Sequence, residues 1–361
     1  LYSSAASDVY KRQVWTIYHA IDSETANPFQ AYQATRYVDT AIPHIPVTAH
    51  GLKENGYATI ATTNWLPYSW SINNVAFAEV MHTALSYFQA GRADAGYKLL
   101  KSSVLDGMYL GDSPGNFGQI SFYDAARGEC YRDFGDPIGV ASRVLIQGLF
   151  GILPDALNQQ IILRPGFPDD WDKASVSTPD ISYRFTRKEN TDTYHITQRF
   201  QTPLHPVLHV NARKEKIRSV KVNGVPATWQ SIESAHGYPL LSIQAEGTSS
   251  TTITIEWEGA PLHTLAVQEP VITSNGKLAL QIPSGASISQ VYDPQSILAN
   301  HTVEATAFNA QIKGEPGHHT FFVYTHQGEM DWWQPVNIYI ENVRESPSYT
   351  CLLYTSDAAD E

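Results

Sequence analysis

The feature that most constrains the fold is a change of hydrophobic period near Pro154. Before it, Val75, Ala78, Met81 and Leu85 recur at three- and four-residue steps, the spacing of an amphipathic helix. After it, apolar residues alternate with polar ones, which is the period of half-buried strands. The alternating residues are Ile181, Tyr183, Phe185, Tyr194, Ile196, Ile253, Ile255 and Trp257. The chain is therefore predicted to be multidomain, helical first and β-rich afterwards.

Local signals place the elements more closely. Asn27 before Pro28 predicts a helix start, and Gly91-Arg92 predicts a short connection between helices at about 74–90 and 93–105. Asp136 before Pro137 predicts the N-cap of a further helix. In the second half, Asn223-Gly224 is typical of a tight hairpin, inside a β-sandwich predicted from about 176 to 259.

Composition excludes several classes of function. The chain has 361 residues, a formal net charge of −12 and 2 Cys. An acidic chain of this kind argues against nucleic acid and anionic membrane surfaces as partners. Two cysteines supply neither a disulfide framework nor a zinc spacing, and no apolar run reaches membrane-spanning length. Neither a metal nor another cofactor is expected.

The two ends differ in character from the rest. LYSSAASDVYKRQ at residues 1–13 and CLLYTSDAADE at the other end resemble translated sequencing-adapter read-through. We therefore expect residues 1–13 and 346–361 to be artefactual and the natural chain to extend further. A signal peptide is then presumed lost by truncation.

The densest group of polar and aromatic residues lies at 118–137, GQISFYDAARGECYRDFGDP, in a predicted connection between helices. Loops on a rigid scaffold commonly carry function, so this segment is the first site candidate. A second polar group is His19-Ala-Ile-Asp22-Ser-Glu24. A third segment, 62–74, carries Trp65, Tyr68 and Trp70, which either form a sugar-stacking wall or pin the loop to the core.

Helical hairpins followed by a β-sandwich resemble the α/α-toroid (six-hairpin) glycoside hydrolases, particularly the α-L-rhamnosidase-like members. Motifs that carry the likeness are GQISFYD at 118–124, a helix ending FGI at 150–152, and IILRP at 161–165. YHAID, TNWLPY and YRDF further resemble an uncharacterised family of polysaccharide-degrading gut bacteria. The resemblance implies a partial toroid domain at 14–165, a β-sandwich at 166–260 and a second, partial β-rich domain at 261–345.

The resemblance also implies roles. Asp124 is the first choice for the general base, one methylene shorter than the family's usual glutamate, and Glu129 is the second. The acid is expected at Asp22 or Glu24, or beyond the ends of this chain. For each, the alternative is a structural carboxylate paired with an arginine. The expected substrate-binding residues are His19, Trp65, Tyr68, Trp70, Tyr123, Arg127, Tyr131, Arg132 and Asp133.

Paired carboxylates are the usual machinery of glycoside hydrolysis. The resemblance therefore implies a secreted or periplasmic glycosidase, expected to invert configuration, acting on an oligosaccharide or polysaccharide of plant or host origin. Two alternatives stay open. One is a polysaccharide lyase, in which Tyr or His abstracts a proton and Arg neutralises a uronate. The other is a fragment that binds carbohydrate without turnover.

Overall fold

The computed structural model describes residues 14–48, 52–53, 56–64, 72–110, 122–124, 129–131, 135–265 and 268–342. At 63–64, 72–74, 110, 122–124 and 129–131 it describes the backbone alone. Both end segments predicted to be artefactual lie outside these residues. Within them, no helix is both long and apolar enough to span a bilayer.

The first 150 residues hold five α-helices in the described part of the chain. They are α1 Val14–Asp22, α2 Pro28–Ala41, α3 Phe77–Gln89, α4 Ala93–Val104 and α5 Asp136–Arg143. Two π-helical turns, Leu105–Leu110 and Val144–Leu149, continue α4 and α5. Helix α3 is buried along most of its length, and the other four helices pack against it. The predicted helices at 74–90 and 93–105 are confirmed.

The sequence predicted the N-cap residues of α2 and α5, and the prediction holds for α2 but not for α5. The Asn27 side chain accepts the Gln30 N–H at 3.0 Å, and Gln30 Oε1 accepts the Asn27 N–H at 3.0 Å, which completes a capping box before Pro28. The predicted cap is confirmed. At α5 the N-cap is Gly135, and Asp136 is an exposed helical residue without a capping hydrogen bond, so that prediction is wrong.

Two small sheets accompany the helices. Their strands are β1 His44–Pro46, β2 Ala58–Ile60, β3 Thr63–Asn64, β4 Ile72–Ala76, β5 Phe122–Asp124 and β6 Glu129–Tyr131. Strands β1 and β2 form an antiparallel pair, and β3-β4-β5-β6 form an antiparallel sheet in that order. Because β4 runs directly into α3, this second sheet adjoins the first turn of that helix.

A β-sandwich follows. Its strands are β7 Ile152–Asp155, β8 Gln160–Leu163, β9 Lys173–Ser177, β10 Ile181–Lys188, β11 Thr191–Gln198, β12 His205–Asn211, β13 Lys214–Val222, β14 Val225–Pro226, β15 Gln230–Ser231, β16 Leu240–Gln244 and β17 Ser250–Pro261. One sheet has the order β14-β13-β17-β11-β10-β9 and the other β15-β16-β12-β8-β7. Tyr183 and Trp257 from the first sheet share a buried core with Leu208 from the second. The predicted turn at Asn223-Gly224 is confirmed, with φ of 51° and 80°.

The last described segment forms two further sheets. Their strands are β18 Val271–Thr273, β19 Lys277–Gln281, β20 Ala286–Tyr292, β21 Leu298–Glu304, β22 Ala307–Ile312, β23 Gly317–Gln327 and β24 Met330–Glu341. They pair in the orders β18-β24-β23-β20 and β19-β22-β21. Phe308 and Phe321, both inaccessible to solvent, contact each other in the core between them.

The prediction of a helical toroid is wrong. The molecule is mostly β, and its described part holds five helices of 8–14 residues rather than a series of long helical hairpins. The apolar stripe at 75–88 does form a helix. However, much of the described chain between the helices consists of short strands, and the strands of the sandwich, from Ile152 to Pro261, continue the hydrophobic core of the helices. One core therefore joins the helices to the sandwich.

The C-terminal sheets also contact the helices. Phe29 and Tyr32 on α2 approach the buried Phe322 ring at centroid distances of 4.9 and 5.7 Å. Arg36 on the same helix donates to Glu269 at 2.9 Å. Helix α2 is thus held from both sides, by α3 and by the C-terminal sheets.

Candidate functional site

Glu79 is the most unusual carboxyl group among the described residues. It lies in the first turn of α3, between residues that are inaccessible to solvent, Phe77, Val80 and Met81. Its Oε2 atom is buried and has no hydrogen-bond partner in the described part of the chain. Polar atoms left in this state are rare in folded proteins and call for an explanation.

The start of α3 shows how Glu79 is positioned. Helix α3 has no side-chain cap of its own, and the Ala76 N–H instead donates to Thr62 Oγ1 at 3.0 Å. The same Thr62 side chain hydrogen-bonds to Glu79. Thr62, buried beside strand β3, therefore binds both the helix start and the carboxyl group.

Burial raises the pKa of Glu79 from its ordinary 4.5 to about 7, although the Thr62 hydrogen bond lowers it, and repulsion from Asp136 raises it further. A helix N-terminus by itself favours the ionised form of a carboxyl group. Desolvation outweighs that effect here. Glu79 therefore keeps its proton to a higher pH than an exposed glutamate does.

Aromatic rings lie on the adjoining turns of α1 and α3. The Tyr18 ring stacks on His82 with centroids 4.9 Å apart, and on the other side it approaches His19 at 4.7 Å. Burial, then the charge of Glu79, raises the pKa of Tyr18 well above its usual range, while burial, then Arg143, lowers that of His82. Trp15 packs edge-on against His19 and is 55% exposed. The group presents an open ring surface on its α1 side.

Asp22 joins three helices. Its two carboxylate oxygens accept from Arg143 on α5, at 2.9 and 2.6 Å, and Oδ1 also accepts from Gln89 of α3 at 2.9 Å. Burial acts to raise the pKa of Asp22, but the hydrogen bonds from Arg143 and Gln89 outweigh it and hold that pKa below its usual value. Asp22 is therefore an ionised carboxylate near neutral pH.

The other residues predicted near Asp22 are less constrained. His19 is exposed on α1 and belongs to the ring group with Tyr18. Glu24 follows the end of α1, is exposed, and has a positive φ of 56°. The predicted second polar group at 19–24 thus contributes His19 and Asp22 to the surroundings of Glu79 and His82.

The predicted bases Asp124 and Glu129 lie opposite each other in the antiparallel pair β5–β6. On its other side Asp124 is in register with Asn74, five residues before Glu79. Residues in such positions have Cβ atoms about 5 Å apart across a strand pair. The backbone therefore places both predicted acids on the small sheet whose strand β4 leads into α3.

Several predictions fall outside the described residues or their described atoms. For Asp124, Glu129, Tyr123 and Tyr131 the backbone positions alone are described. The remaining predicted residues lie outside the described residues, and they are Trp65, Tyr68, Trp70, Arg127, Arg132 and Asp133. Their roles stay predictions.

Glu79, Tyr18 and Arg143 were not selected from the sequence. Glu79 and His82 are three residues apart along the apolar stripe 75–88, so both ionisable groups border a buried face. A glutamate within an apolar helical stripe is uncommon, and this sequence feature could have identified Glu79. Arg143 carries no comparable signal, because its partner Asp22 is 121 residues away.

Among the described residues, no group of three or more His, Cys, Asp or Glu side chains is arranged to hold a metal ion. The chemistry that this site offers is proton transfer and hydrogen bonding. The Glu79 carboxyl group, with its raised pKa, can gain or lose a proton near neutral pH, and Asp22 with Arg143 forms a fixed ion pair.

No family model matches the chain, and no curated protein does. Solved structures show weak likeness. An α-L-rhamnosidase from Dictyoglumus thermophilum aligns with 50% of this chain and 21% of its own, at 15% identity and a TM-score of 0.33. This chain thus spans about a fifth of the length of that protein.

Two other solved structures also match, with lower TM-scores. A Bacteroides ovatus glycan-utilisation protein, SGBP-B from a mixed-linkage glucan locus, covers 47% of this chain and 64% of its own, at 10% identity and a TM-score of 0.17. The tandem Ig repeats of Dlar cover 42% and 90%, at 10% identity and a TM-score of 0.17. At such scores these likenesses carry no argument about function.

Proposed function

We propose that this chain belongs to a glycoside hydrolase and that Glu79 is the acid that protonates the leaving oxygen. The observation that carries this proposal is the buried Glu79 carboxyl group, protonated near neutral pH and with Oε2 unpartnered in the described residues. A glycosidase needs one carboxyl group that keeps its proton at the working pH, and burial is the usual means.

The second carboxylate in this proposal is Asp124, with Glu129 as the alternative. Both occupy the strand pair next to the sheet strand that enters α3. A base needs to be ionised while the acid is protonated, so the two groups require different surroundings. Inversion or retention depends on their separation, about 6.5–9.5 Å or about 5–5.5 Å.

Asp22 takes a different role in this proposal. The Arg143 fork and Gln89 hold it ionised, which is unsuited to proton donation. We assign it to positioning: it fixes α1 against α3 and α5, and so fixes Tyr18 and His82 relative to Glu79. Trp15, exposed beside His19, offers an aromatic face for a sugar ring. A secreted or periplasmic place of action belongs to the same proposal.

The test is hydrolysis of a panel of aryl glycosides and plant oligosaccharides by the wild type and Glu79→Gln. Glutamine keeps the shape of the side chain and removes the transferable proton. We expect kcat to fall about 10²–10⁴-fold, the usual contribution of general acid–base catalysis. Glu304→Gln, an exposed glutamate on β21, is the matched control and should keep full activity.

Three results would contradict the proposal. Oligosaccharide binding without turnover by the wild type would favour a binding protein. Turnover that Glu79→Gln leaves unchanged would place the chemistry elsewhere. Product absorbing near 235 nm from uronate polymers alone would indicate a lyase instead of a hydrolase.

A further inference from the structure

A cavity lies at the C-terminal end of α3, between the helices and the five-stranded sheet. Its volume is about 240 Å³, and Gln89 and Gly91 line it from the helical side. Arg164, which follows β8, and His209 on β12 line it from the sheet. Glu79 is ten residues earlier in α3, about 15 Å along the helix axis, so the cavity lies apart from Glu79. Its lining residue Gln89 also donates to Asp22.

Arg164 has no ionic partner here. Neither a hydrogen bond nor an ion pair from its guanidinium reaches any described residue, and no acidic residue of the described chain lines the cavity. A methyl group built on Gly91 would lie 3.7 Å from a terminal Arg164 nitrogen and 3.9 Å from His236 Nε2. The guanidinium is therefore beside Gly91 and His236, with part of its surface accessible.

The two histidines nearby are uncharged near pH 7, so they neither add to nor neutralise the positive charge of Arg164. His236 Nε2 lies 2.8 Å from the Ala90 carbonyl oxygen, which can only accept, so that nitrogen carries the proton. Burial lowers the pKa of His236 to about 4, and burial, then the charge of Arg164, lowers that of His209. Both rings are neutral near pH 7. Burial likewise lowers the pKa of Arg164, the direction a cation takes when no anion is close.

Partial burial of a cation without a partner costs free energy, and a bound anion would supply the missing opposite charge. Arginine presents a planar fork that matches a carboxylate bidentately. The rest of the lining adds neutral hydrogen-bonding groups that suit hydroxyl groups, among them the Asn211 amide and Gln89 Oε1, which has no partner in the described residues. The Tyr238 hydroxyl, which donates to Asp169 at 3.2 Å, keeps an acceptor position. The volume is below the roughly 300–1,000 Å³ of typical ligand pockets, which limits the occupant to a small molecule or one sugar unit.

We propose that this cavity binds a small hydroxy carboxylate, a hexuronate in carbohydrate form, with its carboxylate on Arg164 and its hydroxyl groups on the neutral lining. The assignment is independent of Glu79. The uronate is either the free monosaccharide or the end of an acidic oligosaccharide, and both present the same chemistry to the cavity.

The experiment is calorimetric titration of the whole chain with D-galacturonate, trigalacturonate, D-galactose and sulfate, for the wild type, Arg164→Met and Arg184→Gln. Arg184 is an exposed arginine on β10 and serves as the matched control. We expect galacturonate to bind the wild type and Arg184→Gln, and Arg164→Met to lose about tenfold to a hundredfold in affinity, the usual weight of hydrogen bonds to a charged group. Galactose and sulfate should bind much more weakly. Binding of the trimer at least as tight as the monomer indicates an oligosaccharide end; monomer binding alone indicates the free acid.

Ligand-free stability separates binding from a structural role. Arg164→Met removes an unpaired charge, so its unfolding midpoint without ligand should equal or exceed that of the wild type. If Arg164→Met is insoluble, Arg164→Lys, which keeps the charge without the fork, should show a reduced galacturonate affinity. Equal binding of galactose or sulfate, or unchanged galacturonate affinity in the Arg164 variant, would overturn the proposal. Galacturonate binding retained in Glu79→Gln keeps this result separate from the proposed hydrolysis.

Discussion

At Glu79, desolvation outweighs both a helix N-terminus and a hydroxyl hydrogen bond that favour ionisation. Burying such a group costs stability, because the unfolded chain ionises it freely. Functional sites commonly carry this kind of cost, and the molecule offsets it in its core.

The cost has a definite pH dependence. The pKa of Glu79 in the folded state, about 7, is above its ordinary 4.5, so the folded state holds the proton more tightly. The free energy of unfolding therefore falls as the pH rises above about 4.5 and levels off above about 7. Glu79→Gln removes this dependence, and its stability relative to the wild type should increase from pH 4 to pH 8 in urea titrations. A constant difference across that range would mean that Glu79 titrates normally.

At the scale of elements, the sequence predicted the features that depend on neighbouring residues, but it did not predict which distant strands pair. The capping box at Asn27 and the turn at Asn223-Gly224 depend on residues within a few positions of each other, and both are present. The toroid prediction took the order of elements, helices and then a β-sandwich, as the pattern of a helical ring, whereas the described part of the chain is mostly β and holds five helices. What the sequence concealed is that the segments around α3 form short strands and that β8 pairs in parallel with β12, across about 40 residues.

The candidate site likewise combines residues that are close in the sequence with residues that only the fold brings together. The acids of segment 118–137 were prominent because they cluster in sequence, whereas Glu79 stands alone among apolar residues and acquires its properties from burial. Its setting combines Thr62, Tyr18 and Asp136, residues 17, 61 and 57 positions away. Only packing brings them together.

At the scale of the whole molecule, α2 connects the C-terminal sheets to the helices. Phe322 is inaccessible to solvent and contacts Phe29 and Tyr32. Phe322→Ala should lower the free energy of unfolding by about 3–5 kcal/mol, as for other buried aromatic truncations. It should also speed hydrogen exchange in α2.

Phe308→Ala provides the control, because Phe308 is equally inaccessible but packs on Phe321 within the C-terminal core. It should destabilise the C-terminal sheets and leave exchange in α2 near the wild-type rate. Equal exchange in α2 for both variants would mean that the aromatic contact does not anchor this helix.

The most direct test of the central claim measures how the effect of Glu79→Gln depends on the leaving group. If Glu79 protonates the departing oxygen, a substrate whose leaving group needs no proton loses little from the substitution. On aryl glycosides of one active sugar, we predict that Glu79→Gln lowers kcat/KM by about 10²-fold or more for an unsubstituted phenyl or alkyl leaving group. The 2,4-dinitrophenyl glycoside should be hydrolysed at nearly the wild-type rate. An equal loss for all leaving groups, or no loss for any, would contradict the assignment of Glu79 as the proton donor.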